Sequence, residues 1–542
     1  MSHTPEAAAD GPPRGGLVLA ALILGATVAN LNLAVANVAL PTIGEDLGSS
    51  QSLLNMVAVG FTLGLAASVL YLGALADRHG RRLMLLLGLA LSVPAAALAA
   101  WAPTIEVLIG ARVVGGLAAG MAYPTTLSLV TALFSGPRRT RAIALWSGIG
   151  AGASALGPLF VGLLLQRFWW GSAFALTIPF AVVAFALAWW MVPRHAGESD
   201  KPVDNLGGIL SVVLVGTIVL SLNFAPLPGS LDVTLALAGI AVAALAGFVV
   251  RQRRVANPLF DLHVAKRRIF WVAALAGIIA FGSLMGALFI GQQFMQDVLG
   301  YSALGAGLAI LPSPIMMIGM SPVAARLIAA RGAHFTLIVA FTLIATGFLI
   351  MLTWHEGIGY PLVGISYAFV GAGIGLGGAP ASRSVMSSVP VHRAGMGSAV
   401  TDLQRDLGGA VMQSILGALL SIRYSHYFVE AFADLPADEA AKLGDETAAT
   451  IKSSFGGAVD VAKLHPGADA DKLVAAAKQA FTEGSRLAIA AGVAAILIGL
   501  VVVAVFFPGR QREDDLEREY AREDEAAAAA ETAHRAGADS SG

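Results

Sequence analysis

Asp402 and Asp406 stand four residues apart, with Arg405 beside them, in a run otherwise apolar enough to cross a membrane. On a helix that spacing puts both carboxylates on one face, one turn apart. Two carboxylates so placed in a poorly hydrated site cannot both ionise cheaply, so the pair titrates as a unit and is a candidate proton carrier. The structural alternative is an ion pair of either acid with Arg383, Arg393 or Arg405 near the cytoplasmic surface. Arg112 is a further intramembrane charge, and the cost of a buried cation favours a cavity or a partner for it. Asp297 and Glu356 lie nearer the outer ends of their runs, within reach of water. Phe281, Met285, Gln292, Gln293 and Tyr367, with Met316, Met317 and Met320, offer soft, adaptable cavity lining. Core packing explains most of the methionines equally well.

Little else in the chain supplies enzyme chemistry. All ten histidines fall in tails, loops or span ends, so a membrane enzyme such as an acyltransferase would lack its buried catalytic base. No GxxxxGK[ST] loop occurs, which argues against ATP as the energy source. The run GAGIGLGG, Gly371 to Gly378, lies inside an apolar span without a strand or a phosphate-binding lysine. With no cysteine there are no disulfides and no thiolate metal sites.

The elements that must position these residues are membrane helices. Hydrophobic residues make up 56% and charged residues 13% of 542, with net charge −1 and mean hydropathy +0.75. That balance gives no case for nucleic acid or an acidic partner. Apolar runs of roughly twenty residues number about fourteen: 17–40, 53–76, 83–101, 107–134, 142–165 and 172–192; then two plain ones, 206–224 and 231–250; then 269–294, 303–329, 335–353, 359–382, 395–422 and 487–507. Arg14 is the only cation before Gly15, and the first run is long enough to span rather than be a cleaved signal. Alternate loops collect the cations: Arg78, Arg81 and Arg82; Arg138, Arg139 and Arg141; Arg194 and Lys201; Arg251 to Arg268; Arg331; Arg393. The loops between them carry none apart from Arg167, so the positive-inside rule places both ends in the cytoplasm. The long outer loop is exempt from that rule, and its pattern at Leu435 to Lys442 and Leu473 to Phe481 suggests short amphipathic helices. The expected division is a cytoplasmic tail 1–16, a first six-helix half 17–193, two inserted helices 206–250, and a basic cytoplasmic loop 251–268. A second half 269–507, with outer loop 424–485, and a charged cytoplasmic tail 508–542 complete it.

The turn GALADRHGRR, Gly73 to Arg82, joins the second and third runs and has a partner in the second half. LADRHG, ending at Gly80, matches LIAARG, Leu327 to Gly332, with leucine and glycine in register and the acid missing from the second copy. Two six-helix halves with a site between them is a transporter plan, worked by rocking one half against the other. Asp77 can accept hydrogen bonds from neighbouring helix N-termini and from the arginines around it when an inner gate is shut. The plainer reading is a topogenic turn, and it suffices for most of the arginines. Gly148, Gly152, Gly157 and Pro158 form a small-residue stripe with a kink, which permits close helix approach and is also ordinary membrane packing.

The turn with Gly73, Asp77, Gly80 and Arg81 resembles the signature of the major facilitator superfamily. Fourteen spans, NVALPTIG at Asn37 to Gly44, ARVVGGLAAG at Ala111 to Gly120 and LGPLFVG at Leu156 to Gly162 resemble its fourteen-helix drug:proton antiporters. FWWGSAF, Phe168 to Phe174, and the outer loop are similar to exporters of quaternary ammonium compounds and methyl viologen. The resemblance implies an all-α polytopic membrane protein with the major facilitator fold, two six-helix halves plus two extra central helices. It implies a proton-coupled antiporter that exports hydrophobic, often cationic, drugs across the cell membrane. The proton gradient would be its energy source, with no cofactor and no metal. Its partners would be a small-molecule substrate, protons and the bilayer, and the protein would act as a monomer. A dedicated exporter or importer of one metabolite, siderophore or lipid is the alternative within the same fold. On the resemblance, Gly148, Gly152, Gly157 and Pro158 are the antiporter motif, Arg112 a proton-coupling residue, and Asn32 and Asn37 cavity residues. Two positions depart from the pattern. Asn32 stands where relatives commonly have an aspartate, and asparagine cannot carry a proton; Gly115 stands where the fourth-span motif usually has a glutamine. The coupling acids would then be Asp402 and Asp406.

Overall fold

A computed structural model describes residues 12, 14–47, 51–193, 202–225, 229–255, 257–390, 393–433, 445–453, 455–464 and 468–539. Within helices, some side chains also lie outside the described set, including those of Asn37 and Pro158. The long apolar runs become helices because a backbone in lipid must satisfy its own hydrogen bonds, and a helix does so within one segment. Twelve helices among the described residues are long and apolar enough to cross a membrane. The first half is built of α1 (Gly15–Leu47), α2 (Gln51–His79), α3 (Arg81–Ala100), α4 (Ile105–Leu133), α5 (Gly136–Leu165), the turn α6 (Ser172–Ala175) and α7 (Thr177–Met191).

Helices α8 (Asn205–Phe224) and α9 (Leu231–Arg254) form a hairpin. It packs against α2 and more lightly against the helix Ala394–Ala433, with Tyr71 Oη donating to Asn205 Oδ1 at 2.8 Å and Asp204 held by Arg251 at 3.0 Å. Only 17% of the apolar window of α9 is buried, so most of its surface is left for lipid, which is why its stretch 235–250 carries no polar side chain.

The second half contains α10 (Leu262–Ala265), α11 (Arg268–Gln293) with a π turn at Phe294–Val298, α12 (Ala303–Ala309), α13 (Pro312–Met351), α14 (Tyr360–Ser387) and α15 (Ala394–Ala433). It continues with α16 (Asp445–Ser453), α17 (Phe455–Leu464), α18 (Ala468–Phe506) and α19 (Arg510–Asp539). Its core is one apolar cluster shared by α11, α13, α14, α15 and α18, around Phe281, Phe294, Phe341, Phe348, Trp354 and Tyr367.

Two glycines set the chain's direction at one end of both halves. Gly80, with φ 104°, ends α2 and opens α3; Gly332, with φ 83°, bends α13 into two limbs that read as separate spans in the sequence. Both sit in the left-handed region that side chains rarely tolerate. Arg82 donates to Trp189 O, Asp77 accepts from Gly395 N–H, and Arg393 pairs with Asp261. These contacts gather the arginine-rich turns on a single face, the basic end.

At the opposite end, α15 and α18 run past the apolar stretch and carry the chain between them. The amphipathic segment Leu473–Phe481 is continuous with α18 rather than a separate helix, because its apolar face (Ala477, Ala480, Phe481) joins the core around Phe428, Ile451 and Ala458. Arg423 pairs with Glu483 at 2.6 Å and Lys478 with Glu356 at 2.9 Å. The segment Leu435 to Lys442 lies outside the described residues.

Candidate functional site

The described hydrogen bonds between the two six-helix halves start at the basic end and climb α15. At its first turn, Gly395 N–H donates to Asp77 Oδ2 at 2.8 Å, while Asp77 Oδ1 takes Arg81 Nε at 2.9 Å and Nη2 at 2.8 Å. Asp77 therefore sits at a helix N-terminus, where the unpaired amides favour an anion, and a cation holds its other oxygen. Gly73 and Gly395 let the two backbones meet: a Cβ on Gly395 would run into the Asp77 carboxylate and lie 2.5 Å from Gly73 O. One turn higher, Ser398 Oγ donates to Pro124 O, the carbonyl of a residue on α4.

Higher still is a buried polar knot. Arg405 donates through Nη1 to Asn30 Oδ1 of α1 at 2.7 Å and to Tyr123 Oη of α4, and through Nε to Asp406 Oδ1 at 3.2 Å. The guanidinium also lies over the Tyr123 ring, 4.3 Å from its centre. Asp402 is 1% exposed, and neither of its carboxylate oxygens has a partner among the described residues; the same holds for Asp406 Oδ2. Of the three arginines weighed as partners, Arg405 is the one that pairs with an acid here, Asp406. Arg383 approaches Glu517 at 3.8 Å and Arg393 pairs with Asp261. One cation facing two acids, tied to both halves, can exchange partners on gaining a proton or a cationic guest.

Arg112 belongs to a different place. It is buried within the first half, donating to Asn32 O at 2.8 Å and Val57 O at 3.2 Å, with its guanidinium 4.8 Å from the Phe61 ring centre and 5.6 Å from that of Phe174. Its Nη2 has no partner among the described residues. Asn32 turns its own amide to Val28 O at 3.0 Å, so it meets Arg112 through backbone only. Gly115 borders a void of about 10 Å3 together with Asn32, Phe61, Ser92 and Arg112, roughly the room one water needs.

The glycine stripe of α5 meets α13. A Cβ on Gly148 would overlap the Ser321 hydroxyl, and one on Gly152 would lie 2.6 Å from Ile318 Cδ1. Gly157 is buried, and the side chain of Pro158 lies outside the described set, as does that of Asn37. The candidate cavity residues are dispersed. Tyr367 is fully buried in the core of the second half, donating to Ala287 O at 3.3 Å and lying edge-on to Trp354. Gln293 bonds back to Phe289 O at 3.2 Å, Gln292 and Met285 are half-buried, and Phe281 is buried beside Gly378. No group of three or more His, Asp or Glu among the described residues could hold a metal ion.

Sequence reasoning missed Asn30 and Tyr123. The signal was present, since a polar side chain inside an apolar span needs a partner, but Asn32 two residues later drew attention to another face of α1. The charged C-terminal segment contains the helix α19, whose Glu513 and Arg510 bond to the bend of α13.

The chain is 33% identical over 502 residues to the multidrug efflux pump LfrA of Mycolicibacterium smegmatis, covering 92% of this chain and 97% of that one. It is 29% identical over 505 residues to the methyl viologen resistance protein SmvA of Salmonella typhimurium, covering 91% and 98%. Among solved structures, the proton:xylose symporter XylE superposes with a TM-score of 0.57 at 16% identity, covering 91% of this chain and 96% of that one. The human organic anion transporter MFSD10 superposes with a TM-score of 0.56 at 15% identity, covering 91% and 100%. The Major Facilitator Superfamily model matches residues 22–412. With that match running from the first half through the inserted pair into α15, this multi-pass membrane protein, a small-molecule transporter and not an enzyme, belongs to the Major Facilitator Superfamily.

Proposed function

We propose that the chain is a proton-driven antiporter that exports hydrophobic, often cationic, small molecules from the cytoplasm by alternating access, working as a monomer in the cell membrane. Counting α5 and both limbs of α13, its helices make fourteen passages, with the basic end and both termini in the cytoplasm, as the charge rule requires. The division into tail, six helices, inserted pair, basic loop, six helices and tail follows that count. The names of the relatives, one a multidrug efflux pump and one a methyl viologen resistance protein, support the choice of cargo.

The observation that carries the coupling is the knot at Arg405. Its two acids are buried beside one cation, and among the described residues the cation alone ties α15 to α1 and α4 at this level. Protonation of Asp406 weakens its hold on Arg405, and a cationic guest drawn to Asp402 competes for the same negative charge. Either event alters the bond between the halves, which is what an antiporter needs: proton and cargo act on one element, in exclusive fashion. With Asn32 in place of an acid, Arg112 serves the first half by packing and orientation rather than by proton exchange with a neighbour.

Purified protein in liposomes under an imposed pH gradient tests this. Asp402→Asn and Asp406→Asn should lose cargo-induced proton release while still binding a fluorescent cation. Undiminished proton-driven efflux in both single variants and in the double variant would remove these acids as carriers. A panel of cations and neutral compounds separates a broad exporter from one dedicated to a single metabolite.

A further inference from the structure

The turn at Gly332 lacks the acid of its counterpart, since Ala329 stands where Asp77 does in the first copy. A carboxylate reaches it from elsewhere. Glu513 of α19 is 3% exposed, and its Oε2 accepts the Ala333 N–H at 3.1 Å, at the start of the second limb of α13. Arg510 donates to Ala330 O at the end of the first limb. A Cβ at Gly332 would lie 3.1 Å from Arg510 Cβ and 3.3 Å from Glu513 Oε2, so the helix is seated directly on the bend. Further along, Glu517 approaches Arg383 of α14 at 3.8 Å and the Tyr520 ring lies 4.6 Å from the Arg267 guanidinium. Arg267 also pairs with Asp524 at 2.6 Å and donates to Ser388 O at 2.7 Å. These partners lie in α13 and α14 and at the start of α11, all in the second half.

We propose that α19 is a proton-sensitive strap: Glu513 supplies, from the C-terminal segment, the carboxylate that the second turn lacks, fixes the bend between the two limbs of α13, and loosens as it loses its proton. The geometry gives the proton a place. Glu513 Oε1 and Glu517 Oε1 are both buried without a partner among the described residues, and one turn separates the two side chains. A protonated Glu513 donates from Oε1 towards Glu517 while Oε2 still accepts from Ala333. Ionised, the two carboxylates repel each other in a site that burial has stripped of water.

Burial, followed by the charges of Glu517 and Asp514, pushes the Glu513 carboxyl up from 4.5 to about 7, against the opposing pull of the Ala333 N–H and Arg383. An acid whose value rises on docking takes up a proton when it docks. The strap is therefore held most firmly below about pH 4.5 and weakens as pH climbs through about 7. Beside it, Arg510 of its own helix bonds to Ala330 O and Arg383 of α14 faces Glu517, while Arg331 and His334 flank the bend in the sequence of α13. The bend so fixed joins the limb that carries Ile318 and Ser321, which meet Gly152 and Gly148 of α5, to the limb that opens at Ala333.

The test is hydrogen exchange on the full chain in lipid nanodiscs at pH 6 and pH 8, corrected for intrinsic exchange, and it requires no transport. Amides 510–525 and 333–335 should be three- to tenfold better protected at pH 6. Glu513→Gln, which mimics the protonated acid, should keep the pH 6 protection at both values; Glu513→Ala should lose it at both. His334→Gln should leave the pH difference intact. Equal protection of the parent at the two values, persistence of its pH difference in Glu513→Gln, or loss of that difference in His334→Gln would each overturn the proposal.

Discussion

The turns at Gly80 and Gly332 are two copies of one device put to different uses. Both are short, both reverse the chain on a glycine of positive φ, and both present a helix N-terminus at the basic end. The first keeps its acid, and Asp77 spends it across the seam, on the N-terminus of α15 in the opposite half. The second has lost its acid and receives Glu513 from a later helix, whose bonds stay within the same half. A contact across the seam must break in every transport cycle, whereas a contact within a half need not. The first turn is thus suited to gating and the second to bracing.

The largest effect should come from closing the space at the first turn. Gly395→Ala puts a methyl into the Asp77 carboxylate and against Gly73 O, a backbone atom that cannot yield. Efflux at matched abundance should fall by more than about tenfold, since about 1.4 kcal/mol shifts an equilibrium tenfold and overpacking typically costs 1–3 kcal/mol. Gly397→Ala, whose methyl meets the flexible Met386 sulfur at 2.9 Å, should cost far less. Equal losses in the two variants would separate function from the Asp77 contact.

Asp77→Asn comes next. It removes the ion pair with Arg81 and weakens the bond from Gly395, hydrogen bonds to a charged group being worth about 1.5–3 kcal/mol each. The inner seam should open more readily and efflux should drop several-fold, with insertion and abundance near those of the parent. Transport equal to the parent's would reduce Asp77 to a topogenic residue.

Smaller again is Glu513→Gln at pH 6, where efflux should stay within about twofold of the parent, and combining it with Asp77→Asn should give additive losses, as independent sites do to within about 0.5 kcal/mol. Strong coupling between the two would mean that the strap, too, acts across the seam. Last, single cysteines at Ser135 and Thr353, both exposed, should leave transport unchanged and react with an impermeant reagent from opposite sides. The chain has no cysteine of its own to confuse the result. Labelling of both from one side would end the assignment of the basic end to the cytoplasm.

Most of the architecture was legible because lipid imposes long apolar runs and because loops sort their cations by side. The repeat was legible in six residues at each turn. The candidate site was less so. Asp402 and Asp406 announce themselves as charges in an apolar run, but nothing local tells Arg405 to choose Asn30 and Tyr123 from helices nearly 400 and 300 residues away in the chain. Arg112 and the two acids look alike in the sequence as intramembrane charges, yet they occupy separate networks. The predicted cavity set scattered, and Tyr367 went into a core, because hydropathy cannot distinguish a face turned to a cavity from one turned to a neighbouring helix.

The sequence alone determined that this is an all-helical membrane protein of two repeated halves with an inserted hairpin, because solvent cost acts on each residue where it stands. Tertiary structure decided which charge meets which: Asp77 with Gly395, Arg405 with Asn30 and Tyr123, Glu513 with Ala333. Pairing depends on which helix ends and faces are brought within hydrogen-bond reach, and only the packed arrangement of helices sets those distances.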